Sequence, residues 1–242
     1  GDVESDIFPW VGDGAFDAVM NYPLRRTILD FFVRESIDVE DFDCRLAEMR
    51  AKLPRKALFT MYNLLGSHDT PRILTLCESD IIKARLAVLF QMTFPGAPAI
   101  YYGDEVGLQG GSDPDCRRTM VWDPSSWNLE LFSHYRKLIE IRRKHPALVH
   151  GDFRVVIKNK EKTVYGYRRT YGDERITIVI NNSSKRAETR LEVCPECRFA
   201  DLLTGEEYES QNGSTAIEVE PKSGLILLQK PATEAVGESK GE

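Results

Sequence analysis

The apolar residues change period once along the chain, near Gly151, and that single change dictates two different kinds of fold in one polypeptide. Upstream of it, short apolar runs alternate with stretches of helical spacing. Phe16-Asp-Ala-Val-Met reads as a strand, and residues 24–34 place Leu24, Ile28, Phe31 and Phe32 on one helical face. Asp38-Val-Glu-Asp opens a second helix with an acidic first turn, which suits the helix dipole; Phe42, Leu46 and Met49 make its apolar stripe until Pro54 stops it. Asn63-Leu-Leu-Gly-Ser predicts a second strand, Ser79-Asp-Ile-Ile a long apolar helix running to about Phe94, and Gly96-Ala-Pro-Ala-Ile-Tyr-Tyr a third strand. Residues 129–144 form an amphipathic helix ended by His145-Pro146. Strands joined by helical crossovers of this length pair in parallel, so residues 1–150 predict an α/β parallel sheet or barrel.

Beyond Gly151 the period is two. Segments such as Asp152-Phe-Arg-Val-Val-Ile, Thr163-Val-Tyr-Gly-Tyr, Arg175-Ile-Thr-Ile-Val-Ile and Gly224-Leu-Ile-Leu-Leu-Gln alternate between turn signals at Tyr171-Gly172-Asp173, Asn181-Asn182 and Asn212-Gly213. Residues 151–230 are therefore expected to form an all-β antiparallel sandwich. Residues 231–242 are polar and aperiodic, which predicts a disordered tail. The length of 242 residues accommodates such a pair of modest domains.

Charge limits the partners. Thirty-two Lys plus Arg against 38 Asp plus Glu give a net charge of -6, and no basic stripe follows any segment, so nucleic acid and anionic membrane are not expected partners. The longest apolar stretch, residues 86–94, is interrupted by Gln91 and Thr93 and falls short of the roughly 20 residues a bilayer span needs. Neither a spanning helix nor a signal peptide is read, which predicts a cytoplasmic protein. Five sparse cysteines suggest reduced thiols. Cys194-Pro-Glu-Cys197 stands alone: zinc would need two more ligands, and a redox motif would need a helix where Arg198-Phe-Ala-Asp-Leu-Leu-Thr reads as a strand. The chain opens at Gly1 without Met, which is read as a piece of something longer.

In parallel α/β architecture the active site gathers at the carboxyl ends of the strands. The loops leaving the three predicted strands carry Asn21-Tyr22-Pro23, then His68-Asp69-Thr70-Pro71-Arg72, then Gly103-Asp104-Glu105 followed by Gly110-Gly-Ser-Asp113-Pro-Asp115-Cys-Arg117. A His-Asp pair at a strand end suits catalysis, but Asp69 also suits an N-cap for a helix starting near Pro71. Asp113-Pro114 equally suits a turn opener, and Arg117 a solvated ion pair.

These motifs, in this order and spacing, resemble the α-amylase superfamily of glycoside hydrolases. Asn63-Leu-Leu-Gly-Ser-His-Asp-Thr and Phe94-Pro-Gly-Ala-Pro-Ala-Ile-Tyr-Tyr-Gly-Asp-Glu resemble its seventh and eighth strand regions. Phe16-Asp-Ala-Val-Met-Asn-Tyr-Pro and the residues from Gly110 to Asp123 are similar to the branch of neopullulanases, cyclomaltodextrinases and maltogenic amylases. The resemblance implies the second half of a (β/α)8 barrel, strands five to eight, in residues 1–150, with the family's C-terminal sandwich behind it. It also implies a retaining double displacement on α-1,4 and perhaps α-1,6 links of maltooligosaccharides, cyclodextrins or pullulan.

By the same resemblance His68 and Asp69 stabilise the transition state, and Asp113 with Arg117 holds the next sugar on the non-reducing side. Asn21 and Tyr22 are expected at the substrate. The family's general-acid Glu aligns with Asp2 and its acceptor-site aromatic with Glu4. An Asp stops about 1.5 Å short of a Glu, and misplacement of that order can cost about 100-fold in rate; Glu4 is the other candidate acid. The nucleophilic Asp lies upstream of Gly1, so the segment alone is expected to be inactive. No cofactor is implied within the segment. Ca2+ in the upstream half and a homodimeric parent belong to the same resemblance. Asp2 and Glu4 also admit an alternative, a catalytically impaired relative serving as a carbohydrate-binding or protein-interaction module.

Overall fold

A computed structural model describes residues 7–11 and 16–230. Its first part is helical with a small parallel sheet. Helix α1 (Tyr22–Ile28) is capped by the Asn21 side chain, which accepts from the Leu24 N–H, and carries Pro23 in its first turn, where no N–H is needed. It continues as a π-helical segment, Leu29–Val33. Asp38 caps α2 (Val39–Lys52) through the N–H groups of Glu40 and Asp41. After α3 (Arg55–Thr60), strand β1 (Tyr62–Leu64) leads through a loop to α4 (Ile73–Leu76). Asp80 caps α5 (Ile81–Thr93), and β2 (Ala97–Ala99) follows. Asn128 caps α6 (Leu129–Lys144), and Pro146 begins α7 (Pro146–His150).

β1 and β2 pair in parallel, with Asn63 opposite Pro98. The expected strand at residues 16–20 is reduced to two isolated parallel bridges, Phe16 to Val11 and Met20 to Tyr62. The spatial order of Met20, β1 and β2 is thus the chain order, as a parallel α/β layer requires. The proposed fifth-strand residues Asp2 and Glu4, and the proposed disordered tail, lie outside the described residues.

Strands β3 (Asp152–Asn159), β4 (Val164–Tyr171), β5 (Glu174–Asn181), β6 (Ala187–Glu192), β7 (Arg198–Asp201), β8 (Glu207–Glu209), β9 (Ser214–Val219) and β10 (Ser223–Lys230) make the second part. All pair antiparallel: six in the order β3-β4-β5-β10-β7-β8, and β6 with β9 in a separate pair. The period of two sorts their side chains onto two cores. Tyr165, Tyr167, Ile176, Ile178, Ile180 and Ile226 join the helices' core of Phe31, Phe32, Phe42, Phe90 and Phe94. Val164, Val179, Leu225 and Leu227 face the other way, onto Leu191, Ile217 and Val219 of the β6–β9 pair. The six-stranded sheet is therefore a middle layer, covered on one face by helices and on the other by two strands.

Cys194 and Cys197 are joined as a disulfide, which corrects the expectation of reduced thiols throughout. The Pro195-Glu196 turn sets their Cα atoms 5.6 Å apart, inside the range a disulfide spans. Cys44, Cys77 and Cys116 are free. Among the described residues no helix is long and apolar enough to cross a membrane.

Candidate functional site

The loop between β1 and α4 carries His68 and Asp69 at the carboxyl end of β1. Ser67 organises it: the Asp69 N–H donates to Ser67 Oγ (3.1 Å), and the Ser67 N–H donates to Thr70 Oγ1 (3.1 Å). This closes a tight turn that leaves the His68 and Asp69 side chains exposed. His68 Nε2 lies 3.0 Å from Asp69 Oδ2. Asp69 does not cap a helix; α4 begins at Ile73 after Arg72.

The stretch after β2 supplies the opposite wall. Arg117 Nε donates to the His68 carbonyl (2.9 Å) and lies 3.0 Å from Asp113 Oδ1, while its Nη2 lies 3.5 Å from Asp69 Oδ1. The thiol of Cys116 donates to the same His68 carbonyl at 3.1 Å. The structure thus brings His68, Asp69, Asp113 and Arg117 into one continuous network. All four side chains are solvent-accessible, between 38% and 60% exposed, so they remain open to a ligand.

Tyr22 stands beside this group, with its hydroxyl 3.4 Å from Ser67 Oγ. Asn21, expected at the substrate, is instead fully buried. Its Oδ1 caps α1, and its Nδ2 donates to Asn63 Oδ1 (2.9 Å). Both ends of the amide are occupied, so Asn21 ties α1 to β1 rather than meeting a ligand. A cleft of about 580 Å³ runs along the inner face of the parallel strands, lined by Met20, Tyr62, Gly66, Ser67, His68 and Tyr101 among others. Trp10, Phe16 and Tyr62 are exposed near this face.

Beneath the network lies a charged layer to which the sequence reading assigned no role. Arg25 Nε donates to the Leu65 carbonyl (2.7 Å), and its Nη2 to that of Pro71 (3.4 Å), holding both ends of the His68-Asp69 loop. Burial lowers the Arg25 pKa to about 10. Arg72 and Asp104, both buried, pair at 3.1 Å. Burial pushes the Asp104 carboxyl up to about 7, against the opposing pull of Arg72. Burial, with the neighbouring Tyr102 hydroxyl, also raises Tyr101 to about 12, keeping it a neutral donor. Chemically, the exposed network sets an acceptor, Asp69, beside two donors, His68 and Arg117. Such a set suits adjacent hydroxyl groups, each of which donates and accepts. Among the described residues no group of three or more His, Cys, Asp or Glu side chains is placed to hold a metal ion.

Comparison with known proteins gives two matches along the chain. Residues 1–128 match the alpha amylase catalytic domain, and residues 154–226 the maltogenic amylase C-terminal domain. The chain is 40% identical over 228 residues to a cyclomaltodextrinase of Geobacillus thermopakistaniensis (strain MAS1), covering 94% of this chain and 39% of the relative. It is 40% identical over 230 residues to neopullulanase 2 of Thermoactinomyces vulgaris, with the same coverage of 94% and 39%. A solved cyclomaltodextrinase structure superimposes with a TM-score of 0.82 at 37% identity, over 89% of this chain and 37% of that one. The chain thus spans about two fifths of the length of the relatives it matches.

Proposed function

Since the chain belongs to the α-amylase family, with the second half of its (β/α)8 barrel followed by an antiparallel C-terminal domain, we propose that the protein containing it hydrolyses α-1,4 links of maltooligosaccharides, cyclodextrins or pullulan, with α-1,6 links as the further candidate. The observation that carries this reading is Asp69, held between His68 and Arg117 at the carboxyl end of β1. In a retaining displacement the sugar ring passes through an oxocarbenium-like state, and hydrogen bonds to its hydroxyls that strengthen there lower the barrier. Asp69 accepts from a ring hydroxyl and His68 donates to its neighbour. Asp113 and Arg117, 3.0 Å apart on the adjoining wall, hold the next sugar. By the family resemblance Asp2 takes the role of the acid and Glu4 that of the acceptor-site residue; the attacking carboxylate is contributed by a barrel strand that precedes this segment, so residues 1–242 alone turn over no glucan.

The test is Asp69→Asn in the full-length protein with a cyclodextrin as substrate. The turnover number is expected to fall by at least ~100-fold, the scale of removing one pre-aligned polar group from a transition state, while the melting temperature holds. Near-normal turnover would refute the assignment. Asp2 and Glu4, in place of a Glu and an aromatic, favour a second reading as a sugar-binding module without catalysis. A wild-type protein that binds the cyclodextrin in calorimetry yet releases no reducing ends establishes that reading instead.

A further inference from the structure

The residue that follows the His68-Asp69 loop is spent on something other than sugar. Arg72 is fully buried. Its Nη1 donates to the Tyr102 carbonyl (2.6 Å) and to Asp104 Oδ1 (3.1 Å), and its guanidinium lies 4.5 and 4.8 Å from the ring centres of Tyr101 and Tyr102. Its backbone N–H donates to the Gly110 carbonyl (3.0 Å), on the stretch leading to Asp113 and Arg117. Asp104 turns its second oxygen toward Gly66, at the root of the His68-Asp69 loop, where a Cβ would collide with it. Arg72 and Asp104 together therefore touch the root of the His68-Asp69 loop at Gly66, the two tyrosines after β2, and the stretch at Gly110.

Stability does not account for it. Desolvation offsets most of the attraction in a buried ion pair, and an apolar pair of similar volume often serves as well or better. Here the cost is larger, because Arg72 Nε and Nη2 are buried without a hydrogen-bond partner. What the pair provides is geometry: a planar guanidinium lying over two rings, with Nη1 donating to two acceptors, has little freedom to move.

We propose that Arg72 and Asp104 are positioning residues that fix Tyr101 relative to His68 and Asp69 across the cleft, so that the transition state meets an aligned set of donors and acceptors. This rests on the hydrolase reading above. Asp104 is faced by Arg72 from the loop, Arg25 from α1, Tyr135 from α6 and Glu105 beside it. With its carboxyl titrating near 7, the ionised pair is populated above that pH and is lost as pH falls through it. The raised value also means that ionising Asp104 costs the fold stability as pH rises, so any benefit of the charged form is to alignment.

The experiment uses the full-length protein and compares wild type, Asp104→Asn, Arg72→Met and Arg72→Lys on a cyclodextrin, with unfolding followed in parallel. At about pH 8, Asp104→Asn and Arg72→Met are expected to lower kcat about tenfold or more with KM little changed, since a misplacement near 1 Å can cost up to about 100-fold. Arg72→Lys, which keeps the charge but loses the planar guanidinium over Tyr101 and Tyr102, falls between Arg72→Met and wild type. The ratio of Asp104→Asn to wild-type kcat rises toward one between about pH 8 and 6, because wild type itself becomes neutral at Asp104. A ratio flat with pH, kcat within about twofold of wild type in the folded variants, or Arg72→Lys equal to wild type overturns the proposal. Should Asp104→Asn or Arg72→Met fail to fold, Arg72→Lys alone decides it. A wild-type protein inactive on every glucan defeats only the hydrolase reading. The pair is then judged by hydrogen exchange: faster exchange of residues 66–70 and 101–103 in the variants, with residues 164–171 unchanged, upholds it, and unchanged exchange overturns it.

Discussion

Gly66 shows how little room the site leaves. No positive φ demands glycine there; the demand is space, because an added methyl would enter the Asp104 carboxylate. Gly66→Ala is accordingly expected to destabilise the protein by about 1–3 kcal/mol, the usual cost of overpacking, and to lower kcat by shifting the loop that bears His68. Gly111→Ala is the control: its Cβ would meet only Asp115 Oδ2 at an ordinary 3.4 Å, so its effect should stay within about 0.5 kcal/mol. Urea unfolding of both variants checks this, and equal stabilities would remove the close approach as the reason for Gly66. The outward-facing residues were legible because strand-end loops rich in His, Asp and Arg stand out in a sequence; His68, Asp69, Asp113 and Arg117 do share one network. Arg72 and Asp104 stood within the same quoted motifs yet gave no sign of their partnership. They pair across 32 positions, and burial of a charge follows no period. Asn21 misled for the opposite reason, since an Asn at a strand end serves a sugar or a helix N-terminus equally well, and here it serves α1.

At the scale of elements, the exit of α5 is the junction on which the layers depend. The last carbonyls of a helix have no intrahelical partner and carry the negative end of its dipole. Side chains from three elements supply the partners. Arg142 of α6 donates to the carbonyls of Met92 (2.7 Å), Phe94 (3.3 Å) and Gly96 (2.6 Å); Asn63 of β1 donates to that of Pro95 (2.8 Å); Arg169 of β4 donates to that of Thr93 and to Gly151 (3.1 Å). Burial lowers Arg142 to about 10 and Arg169 to about 9, so both stay charged at neutral pH. Arg169→Met leaves the Thr93 carbonyl without its arginine donor and is expected to cost about 3 kcal/mol in urea unfolding. Arg168→Met, at the adjacent and more exposed position, should cost about 1 kcal/mol or less. Comparable losses would mean that Arg169 acts through its bulk alone. The helices read from period and cap residues, with α6 ending as His145-Pro146 predicts. Element α3 buries only Ala57 and β8 has three residues, so neither carries a readable period. The run at residues 16–20 was apolar enough for a strand, but strand formation depends on continuous backbone pairing, and among the described residues only its two ends pair, Phe16 with Val11 and Met20 with Tyr62.

For the whole molecule, alternation in the sequence announced a two-sided sheet but not what would cover each side. The sandwich expected after Gly151 does not close on itself alone. Its larger sheet turns Tyr165 and Tyr167 toward the helices, where Tyr165 meets Phe42 edge-on at 5.1 Å and Tyr167 meets Phe90 at 5.7 Å. Tyr167 also stacks on Phe153 at 4.7 Å and shares a hydrogen bond with Thr93. Glu35, after α1, extends the junction at the surface by pairing with Lys83 of α5 (3.1 Å) and Lys222 before β10 (3.0 Å). Two parts joined through aromatic packing and buried arginines should unfold as one unit, since neither can lose its partner without exposing its own core. Tyr167→Ala tests this. Removing a fully buried aromatic ring costs about 3–5 kcal/mol, and in native-state hydrogen exchange the amides of α5 and of β4 should lose protection by the same free energy. Loss confined to β4 while α5 keeps its protection would show that the barrel helices and the sheet fold as separate units, with the shared core contributing contact but no cooperativity.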